Sequence, residues 1–429
     1  MGIFGGQIMK TYGIICEYNP FHNGHIYQIE ETRKHGADHI VCIMSGNYVQ
    51  RGDVAMIDKF KRAQIAVNHG ADLVIEMPVT YSLASAEYFA RAGVMMLAAL
   101  GCVDGISFGS ECGDIELLKN AAMATFTAGT PEKLKPYLEK GMNYPEALQT
   151  SIANDHGPIL GGVFDSPNNT LAVEYLRAMK VLGVDIDAFT VKRTGTGHDS
   201  TETADGFASG SKLREMIENG EDISAFVPED MAKAVEEYED ADHLAYFDNL
   251  ERELLYVLRT ATPNFIKEVP DIAQGVENRI AQMGKAANSV EDFLKMVDTK
   301  RYTQAKFRRA LLNMYLGIKK NDLLVPPTFG RILAFNENGA EIIKAASENA
   351  EAANERIKAA QENPELANPM DKFLIPFSSS LKDILDKFKV PQLVRQAELT
   401  CRSSDLYMLA SRDVRPCASD FTAKIEIQK

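Results

Sequence analysis

The sequence lacks long hydrophobic runs, a secretory signal and closely paired cysteines. No window approaches about 18 consecutive apolar residues, the length that a transmembrane helix needs. Residues 1–10 lack the charged start, apolar stretch and small-residue cleavage site of a signal peptide. The six cysteines include no C-x-x-C pair, so neither a zinc site nor a disulfide framework is indicated. We therefore expect a cytoplasmic protein without a membrane partner or a resident metal site.

The chain is also short of cations. Its 46 lysines and arginines face 60 aspartates and glutamates, which gives a formal net charge of -14 at pH 7. Binding to nucleic acid relies on cation-rich faces, so this balance argues against a protein that coats nucleic acid over its whole surface. A local basic patch stays possible.

Apolar runs alternate with helix-length amphipathic stretches in the first half of the chain. Strands are predicted at 12–16, 39–44, 73–77, 105–108 and 188–192, with helices at 26–35, 59–68, 84–100, 168–179 and 211–218. Strands that alternate with helices in this way form parallel sheets covered by helices on both faces. The pattern predicts an α/β fold with a Rossmann-like parallel sheet.

After about residue 225 the pattern becomes mainly helical. Helices are predicted at 243–258, 271–283 and 303–318, a short strand at 331–335 and a solvated helix at 338–362. A chain of 429 residues exceeds what one hydrophobic core usually serves. We predict an α/β domain at 9–225 and a mainly helical domain at 226–429.

Two histidines follow the first predicted strand, in the segment EYNPFHNGHIYQIEE that begins at Glu17. Ligands of parallel sheets bind beyond the carboxyl ends of the strands, where helix N-termini offer backbone N–H groups to phosphates. The spacing of His22 and His25 places both imidazoles on one side of the first helical turn. There they can donate hydrogen bonds to the charge that develops as pyrophosphate leaves ATP.

The histidine pair also fits a surface position or a metal site. In the first case both rings simply face solvent, and in the second they are two of three ligands of a metal ion. A bare H-x-G-H match is weak, because four positions with one wildcard recur by chance. The metal site ranks lowest, since no third ligand recurs at a suggestive spacing.

A second segment, ASGSKLR at 208–214, suits the same chemistry. Lys212 and Arg214 at a predicted helix start can neutralise a departing pyrophosphate. The alternative is an ordinary surface helix capped by Ser209 or Ser211. Arg51, in a loop after the second strand, is a further candidate partner for a phosphate or a carboxylate.

A cationic strip interrupts the acidic sequence between residues 295 and 320. Its eight cations face one acid, Asp298, whereas solvated helix faces normally mix both signs. Tyr302 lies among these cations and can stack on unpaired bases, while Phe307 fits better as a core residue. The predicted RNA-binding residues are Lys300, Arg301, Tyr302, Lys306, Arg308 and Arg309.

Taken in order, these segments resemble the bacterial tRNA(Met) cytidine acetate ligase family, a branch of the nucleotidyltransferase superfamily marked by the H-x-G-H signature. The similarity is carried by EYNPFHNGH (17–25), MSG (44–46), QRG (50–52), GADLVIEMP (70–78), FGSE (108–111), SPNN (166–169), residues 186–193, GVENRI (275–280) and TKRYT (299–303). It covers most of the chain to about residue 320. Since Met9 aligns with the family's usual start, residues 1–8 are expected to be an added leader.

The resemblance implies an enzyme that activates acetate with ATP, giving acetyl-adenylate and pyrophosphate. The acetyl group then passes to N4 of the wobble cytidine of elongator tRNA(Met), and Mg²⁺ is expected to accompany the ATP. From the chemistry of the two segments, the predicted catalytic residues are His22, His25, Lys212 and Arg214. The implied ATP-binding residues are Ile15, Cys16, Glu17, Tyr18, Asn19, Pro20, Phe21, His22, Asn23, Gly24, His25, Ile26, Tyr27, Gln28, Gly109, Asn168, Asn169 and Arg193.

Two rival functions share parts of this pattern. A small-molecule adenylyltransferase of cofactor biosynthesis would have the same histidine loop but leaves the helical half with its cationic strip unexplained. A non-catalytic RNA-binding protein would retain the nucleotide fold without turning over ATP.

Overall fold

The computed structural model describes residues 2–4, 7–193, 206–299, 302–362, 373, 375–423, 425 and 427–428. The strands are β1 (Gly2–Phe4), β2 (Gln7–Met9), β3 (Thr11–Cys16), β4 (His39–Ser45), β5 (Tyr48–Val49), β6 (Asp53–Val54), β7 (Leu73–Met77), β8 (Gly105–Ser110), β9 (Asp187–Lys192), β10 (Gly330–Asn336), β11 (Phe377–Ser378) and β12 (Ile427–Gln428).

Helices account for most of the remaining chain. They are α1 (Asn23–Lys34), α2 (Lys59–Asn68), α3 (Val79–Ser82), α4 (Ala86–Leu100), α5 (Ile115–Ala128), α6 (Pro131–Glu139), α7 (Tyr144–His156), α8 (Pro158–Gly162), α9 (Pro167–Leu182), α10 (Gly210–Glu218), α11 (Glu229–Asp240), α12 (Glu251–Thr260), α13 (Pro263–Lys267), α14 (Val276–Ala286), α15 (Val290–Val297), α16 (Gln304–Leu316), α17 (Lys320–Leu324), α18 (Glu337–Glu362), α19 (Leu381–Lys387), α20 (Pro391–Tyr407) and α21 (Ser419–Thr422). Short 3-10 helices lie at Val163–Asp165, Phe247–Leu250 and Met408–Ala410.

The main sheet has the strand order β11-β10-β7-β4-β3-β8-β9, and β12 also pairs with β10. The five strands from β7 to β9 run parallel, whereas β10 is antiparallel to β7. All residues of β3, β4 and β7 are buried, as expected for strands covered on both faces. The predicted Rossmann-like α/β fold is confirmed.

The two faces of the sheet carry different helices. On one face, α4, α9 and α18 pack against Ile15 and its neighbours on β4, β7 and β8. On the other face, α1, α2, α10 and α11 pack against Ile14 and Cys16. Because successive side chains of a strand point to opposite faces, this alternation follows directly from the sequence of β3.

The helices α12, α14, α15, α16 and α20 form a second core, to which Tyr48, Val54, Val79 and Leu83 of the α/β half also belong. The helical half also supplies β10 and α18 to the α/β half, so the main sheet is built from both parts of the sequence. The division at 225/226 stays a prediction. The helix expected to be solvated at 338–362 has one buried side, which includes Ile342, Ala346 and Ala353.

A buried ionic cluster joins elements from both halves. The ammonium of Lys59 on α2 lies 2.7 and 2.9 Å from the two carboxylate oxygens of Glu76 on β7, and 2.7 Å from Oδ1 of Asp420 on α21. Arg331 on β10 also pairs with Asp420. Burial lowers the pKa of Lys59 to about 8, and the charge of Glu76 opposes this change.

Within the described ranges, no helix combines the length and the apolar character needed to span a bilayer.

Candidate nucleotide-binding site

A cavity of about 250 Å³ opens at the carboxyl ends of β3, β8 and β9, the edge of the sheet at which the sequence predicted a site. An adjoining smaller cavity of about 50 Å³ shares several of its lining residues. The predicted residues that line the larger cavity are Ile15, Cys16, Glu17, Tyr18, Asn19, Pro20, His22, His25, Gln28, Gly109, Asn168, Arg193 and Arg214. Gly24 and Tyr27 line the adjoining smaller cavity.

His22 and His25 form the N-terminal cap of α1. The backbone N–H of Gly24 donates to Nδ1 of His22 at 3.1 Å, and the backbone N–H of His22 donates to Nδ1 of His25 at 3.2 Å. This reciprocal arrangement is a capping box built from two imidazoles, where Ser or Thr with Glu is usual. Since each Nδ1 accepts a hydrogen bond, each neutral ring carries its proton on Nε2.

The two imidazoles are stacked, with ring centroids 3.7 Å apart and planes inclined by 26°. Burial lowers the pKa of His25 well below its usual range, and the nearby His22 and Arg193 lower it further. His25 is therefore neutral at pH 7 and offers its Nε2–H as a hydrogen-bond donor.

Gly24 makes room for the ring of His22. A Cβ at position 24 would lie 2.9 Å from Cε1 and 3.0 Å from Nδ1 of that ring. A side chain at this position would therefore displace the imidazole from its capping position.

Glu17 places a carboxylate beside the cavity. Its Oε1 accepts the backbone N–H of Gln50 at 2.7 Å. Burial raises the pKa of Glu17, while the Gln50 N–H and the guanidinium groups of Arg214, Arg51 and Arg62 oppose the rise. Arg51 and Arg214 thus line the same cavity as Glu17, so two positive charges lie near its carboxylate.

Arg62 on α2 is fully buried and holds the loops that carry the site. Its guanidinium donates to the carbonyl oxygens of Glu17, Ser45, Gly46 and Ile57. The ends of β3 and β4 are thereby fixed relative to one another. Sequence reasoning missed this residue, because an arginine inside an amphipathic helix normally lies on the solvated face.

The adjacent asparagines of α9 have different positions. Glu111 accepts the Nδ2–H of Asn168 at 2.6 Å and the backbone N–H of Asn169 at 2.9 Å. Oδ1 of Asn169 in turn accepts the backbone N–H groups of Glu111 and Cys112. Asn168 lines the cavity, whereas the buried Asn169 fixes the turn after β8 to the start of α9.

Arg214 links α10 to the loop before α1. Its Nη1 donates to the carbonyl oxygen of Asn19 at 2.8 Å, and its Nη2 donates to Oγ of Ser211 at 3.2 Å. Burial lowers the pKa of Arg214, an effect opposed by Asp53 and Glu17. A guanidinium held in this way is a fixed positive charge at the cavity wall.

Lys212 occupies a different place from Arg214. Its backbone N–H donates to Oγ of Ser209, which caps α10 at 3.1 Å. Its ammonium lies 3.4 Å from a carboxylate oxygen of Glu215, outside the described lining of either cavity. The catalytic role of Lys212 stays a prediction.

Arg193 stands at the end of β9, next to Gly109 at the end of β8. A Cβ at Gly109 would lie 3.6 Å from Cγ of Arg193, so the arginine stem passes close over the glycine. Burial lowers the pKa of Arg193, and Glu111 opposes this change.

The remaining predicted ATP-binding residues, Phe21, Asn23 and Ile26, are outside the described lining of both cavities. Phe21 is fully buried, and Ile26 packs with the helices on the α1 face of the sheet. The amide of Asn23 donates to the carbonyl oxygens of Gly206 and Ala225 at 3.0 and 3.2 Å. These contacts hold the start of α1 against the segments that flank α10.

The predicted RNA-binding residues divide into three groups, and the third group, Arg308 and Arg309, contacts the α/β half. Lys300 and Arg301 lie outside the described residues. Tyr302 and Lys306 are partly exposed, and the Lys306 ammonium lies 4.6 Å from the centre of the Tyr302 ring. Phe307 is buried, which confirms the core position expected for it.

Arg308 and Arg309 contact the α/β half. Nε of Arg308 donates to the carbonyl oxygen of Gly52 at 3.0 Å, and its Nη2 lies 3.2 Å from Oδ1 of Asp53. Nε of Arg309 donates to Asp271 at 3.1 Å, and its Nη1 donates to the carbonyl oxygen of Gln50 at 3.3 Å. Helix α16 is thus attached to the loop that holds Glu17.

Among the described residues, no group of three or more His, Cys, Asp and Glu side chains is placed to hold a metal ion. What sequence reasoning missed at the site is its apolar side, formed by side chains of β3, α4, β8 and α9. In the sequence these residues look like ordinary core positions. Only the fold, which brings them together around one cavity, distinguishes them from the rest of the core.

The site at this edge of the sheet is that of a nucleotidyltransferase, because it combines paired imidazoles, guanidinium groups and a helix start. Comparison with known proteins agrees. Residues 9–415 match the HIGH Nucleotidyl Transferase family. Among curated proteins, the tRNA(Met) cytidine acetate ligase of Acetivibrio thermocellus is 31% identical over 98% of this chain and 100% of its own length. The protein of the same name from Thermoanaerobacter sp. is 38% identical over 78% of this chain and 86% of its own length.

Solved structures give the same result. The apo form of Thermotoga maritima TmcAL has a TM-score of 0.84 and 28% identity over 97% of this chain and 98% of its own. A second crystal form of that protein, bound with alpha-thio ATP, has a TM-score of 0.82 and 27% identity over 98% of this chain and 99% of its own. The chain therefore belongs to the HIGH nucleotidyltransferases and, among them, to the tRNA(Met) cytidine acetate ligase family. The resemblance stated from the sequence is confirmed.

Proposed function

We propose that this protein uses ATP to activate acetate and acetylates N4 of the wobble cytidine of elongator tRNA(Met), giving N4-acetylcytidine. The observation that carries the proposal is the imidazole capping box. It places both imidazoles and the start of α1 at one cavity, in a family whose curated members carry the name tRNA(Met) cytidine acetate ligase. The same cavity edge is occupied by the guanidinium groups of Arg193 and Arg214.

In the first step, an acetate oxygen forms a bond to the α-phosphorus of ATP, and the bond from that phosphorus to the β-phosphate oxygen breaks. Negative charge grows on the departing pyrophosphate. His22 and His25 donate hydrogen bonds to it, while Arg214 neutralises it from α10. Because His25 is neutral at pH 7, it acts as a fixed donor and its protonation state does not change during the step.

In the second step, the N4 amine of cytidine forms a bond to the acetyl carbonyl carbon, and the bond from that carbon to the phosphate oxygen of AMP breaks. AMP leaves, and the N4 proton passes to solvent water. Tyr302 and Lys306 on the helical half are candidates to hold the unpaired anticodon bases by stacking and by charge.

Mg²⁺ accompanies ATP in most phosphoryl chemistry. The described side chains offer no three-ligand cluster for it, so we expect it to be held chiefly by the phosphates of ATP itself.

Labelled acetate tests the whole proposal. The protein is incubated with ATP, labelled acetate and bulk tRNA, and the tRNA is digested to nucleosides. We expect label in N4-acetylcytidine only when ATP is present. Nucleotide transfer that is independent of acetate would favour a small-molecule adenylyltransferase, and tRNA binding without ATP turnover would favour a binding protein.

A further inference from the structure

The cavity at the ends of β3 and β8 has two chemically unlike sides. The polar side carries the histidines, Arg193 and Arg214. The apolar part of the lining, here called the apolar recess, consists of Ile15, Ala86, Phe89, Phe108, Leu171 and Tyr175, and all of these except Ala86 belong to one packed cluster.

The end of β3 places the recess beside the reacting groups. Ile15 lies on β3 and Glu17 directly follows the strand, and both side chains line the cavity. Ile15 packs with α4 and α9, whereas Cys16 and Tyr18 pack on the α1 face. An apolar group in the recess therefore lies next to the segment that carries Glu17 at the polar end of the cavity.

The walls of the recess are held rigidly. The rings of Phe89, Phe108 and Tyr175 are 2%, 4% and 2% exposed, and the last two have centroids 5.7 Å apart. On α9, Leu171 and Tyr175 are four residues apart and so share one face of the helix. Side chains in a close-packed interior do not yield to an extra methylene without cost.

Helix α4 lies in direct contact with the strand. A Cβ at Gly93 would lie 2.4 Å from Cδ1 of Ile15, so the helix backbone packs directly on the strand side chain. The floor of the recess is thereby fixed, and the recess cannot deepen to take a longer chain.

We infer that the apolar recess holds the methyl group of acetate and limits the length of the acid that is activated. The inference rests on the proposed function and adds to it the residues that select the acid. The methyl carbon makes and breaks no bond in either step, so the recess acts on substrate choice alone. Acetate is the carboxylic acid whose only apolar group is one methyl. Longer acids would have to displace the buried rings of Phe89, Phe108 and Tyr175.

Enlarging the recess tests this inference. Acid-dependent ATP–pyrophosphate exchange is measured with acetate, propionate and butyrate for the native protein, Leu171→Ala and Phe89→Leu. One methylene in a hydrophobic pocket changes kcat/KM by about 10- to 200-fold. We therefore expect the propionate-to-acetate ratio of kcat/KM to rise at least about tenfold in the enlarged variants. Leu176→Ala, on α9 but outside the described cavity lining, is the control and should leave the ratio unchanged.

The opposite change gives a second readout. Ala86→Leu should fill the mouth of the recess and abolish acetate-dependent exchange, while calorimetric binding of a non-hydrolysable ATP analogue stays within about threefold of the native value. Folded enlarged variants that keep the native preference for acetate would overturn the inference. A raised KM for ATP with unchanged acid preference would overturn it too, because the recess would then hold the adenine. If the native protein shows no acetate-dependent exchange, the proposed function itself fails, and the inference with it.

Discussion

His22 and His25 each use Nδ1 for the backbone, and both imidazoles line the cavity. The amide oxygen of asparagine can replace Nδ1 as a hydrogen-bond acceptor, but asparagine places no atom where Nε2 was. Asparagine is also a favoured N-cap residue. Substitution by asparagine therefore separates the structural role of each imidazole from its role toward phosphate.

We predict that His22→Asn and His25→Asn each lower acetate-dependent ATP–pyrophosphate exchange by about 10²- to 10³-fold, the usual effect of removing one donor to developing charge. The melting temperature should change little, because the cap is kept. His156→Asn, on α7 far along the chain from the site, is the control for histidine loss. Native exchange rates in the folded His25→Asn variant would remove the assigned role.

The lowered pKa of His25 predicts a pH-dependent stability. The folded pKa lies below the unfolded value of about 6.5, so the unfolded chain binds more protons between these values. The contribution of His25 to the free energy of unfolding is therefore complete above pH 6.5 and decreases as the pH falls toward the folded pKa, by up to about 1.4 kcal/mol per pH unit. Urea denaturation at pH 7 and pH 5 measures it. The decrease should be smaller in His25→Asn, and an equal decrease in both proteins would contradict the assignment.

Single residues show what the sequence could and could not predict about the site. The H-x-G-H spacing predicted a helix start with two imidazoles, since that pattern is local. The packing at Gly24 could not be predicted from that pattern, because it depends on the ring of His22, which occupies the space next to this glycine. Arg62 was missed because its four carbonyl partners lie 5 to 45 residues earlier in the chain, a set of contacts that no helix pattern encodes.

At the level of elements, α16 packs directly against the loop that supports Glu17. A Cβ at Gly52 would lie 2.5 Å from the backbone N of Arg309 and 2.8 Å from Cβ of Arg308, and the φ of Gly52 is +79°. Both the close approach and the left-handed backbone require glycine.

Gly52→Ala should therefore destabilise the protein and disturb the site. A left-handed non-glycine residue costs about 1–3 kcal/mol, and the collision with α16 adds to that cost. We expect a lower urea midpoint and a raised KM for ATP, because the Gln50 N–H that holds Glu17 belongs to the same loop. Gly141→Ala is the matched control, since its φ is +90° and a Cβ there meets nothing within 4 Å. If the two variants lose the same stability, packing against α16 contributes nothing.

The elements also differ in how well the sequence predicted them. Strands β3, β4, β7 and β8 appear as continuous apolar runs, because they are buried on both faces. The pairing of β10 with β7 joins residues more than 250 positions apart, and no local pattern encodes it. Helix α18 looked solvated because its buried side consists mainly of small residues such as Ala346 and Ala353, which alternate with charged ones.

For the whole molecule, the acidic net charge and the cationic strip imply a confined RNA surface. Arg308 and Arg309 serve to attach α16 to the α/β half, which leaves Tyr302 and Lys306 as the described members of the predicted RNA-binding set that make no such attachment. Base stacking on an aromatic side chain contributes about 1–3 kcal/mol per base.

Tyr302→Ala should weaken tRNA binding by about 5- to 150-fold, which corresponds to that stacking energy. Lys306→Ala should reduce the slope of log K against log salt by about one. Neither change should alter acetate-dependent pyrophosphate exchange, because the first step needs no RNA. Lys344→Ala, on the exposed side of α18, is the control. Unchanged filter binding of tRNA to Tyr302→Ala would contradict the RNA surface.

The most direct measurement is a crystal structure of the protein with a non-hydrolysable ATP analogue. The account predicts that Nε2 of His22 and Nε2 of His25 each lie about 3 Å from phosphate oxygens, with Arg214 beside the terminal phosphates. A triphosphate bound elsewhere, with both imidazoles away from it, would contradict the account.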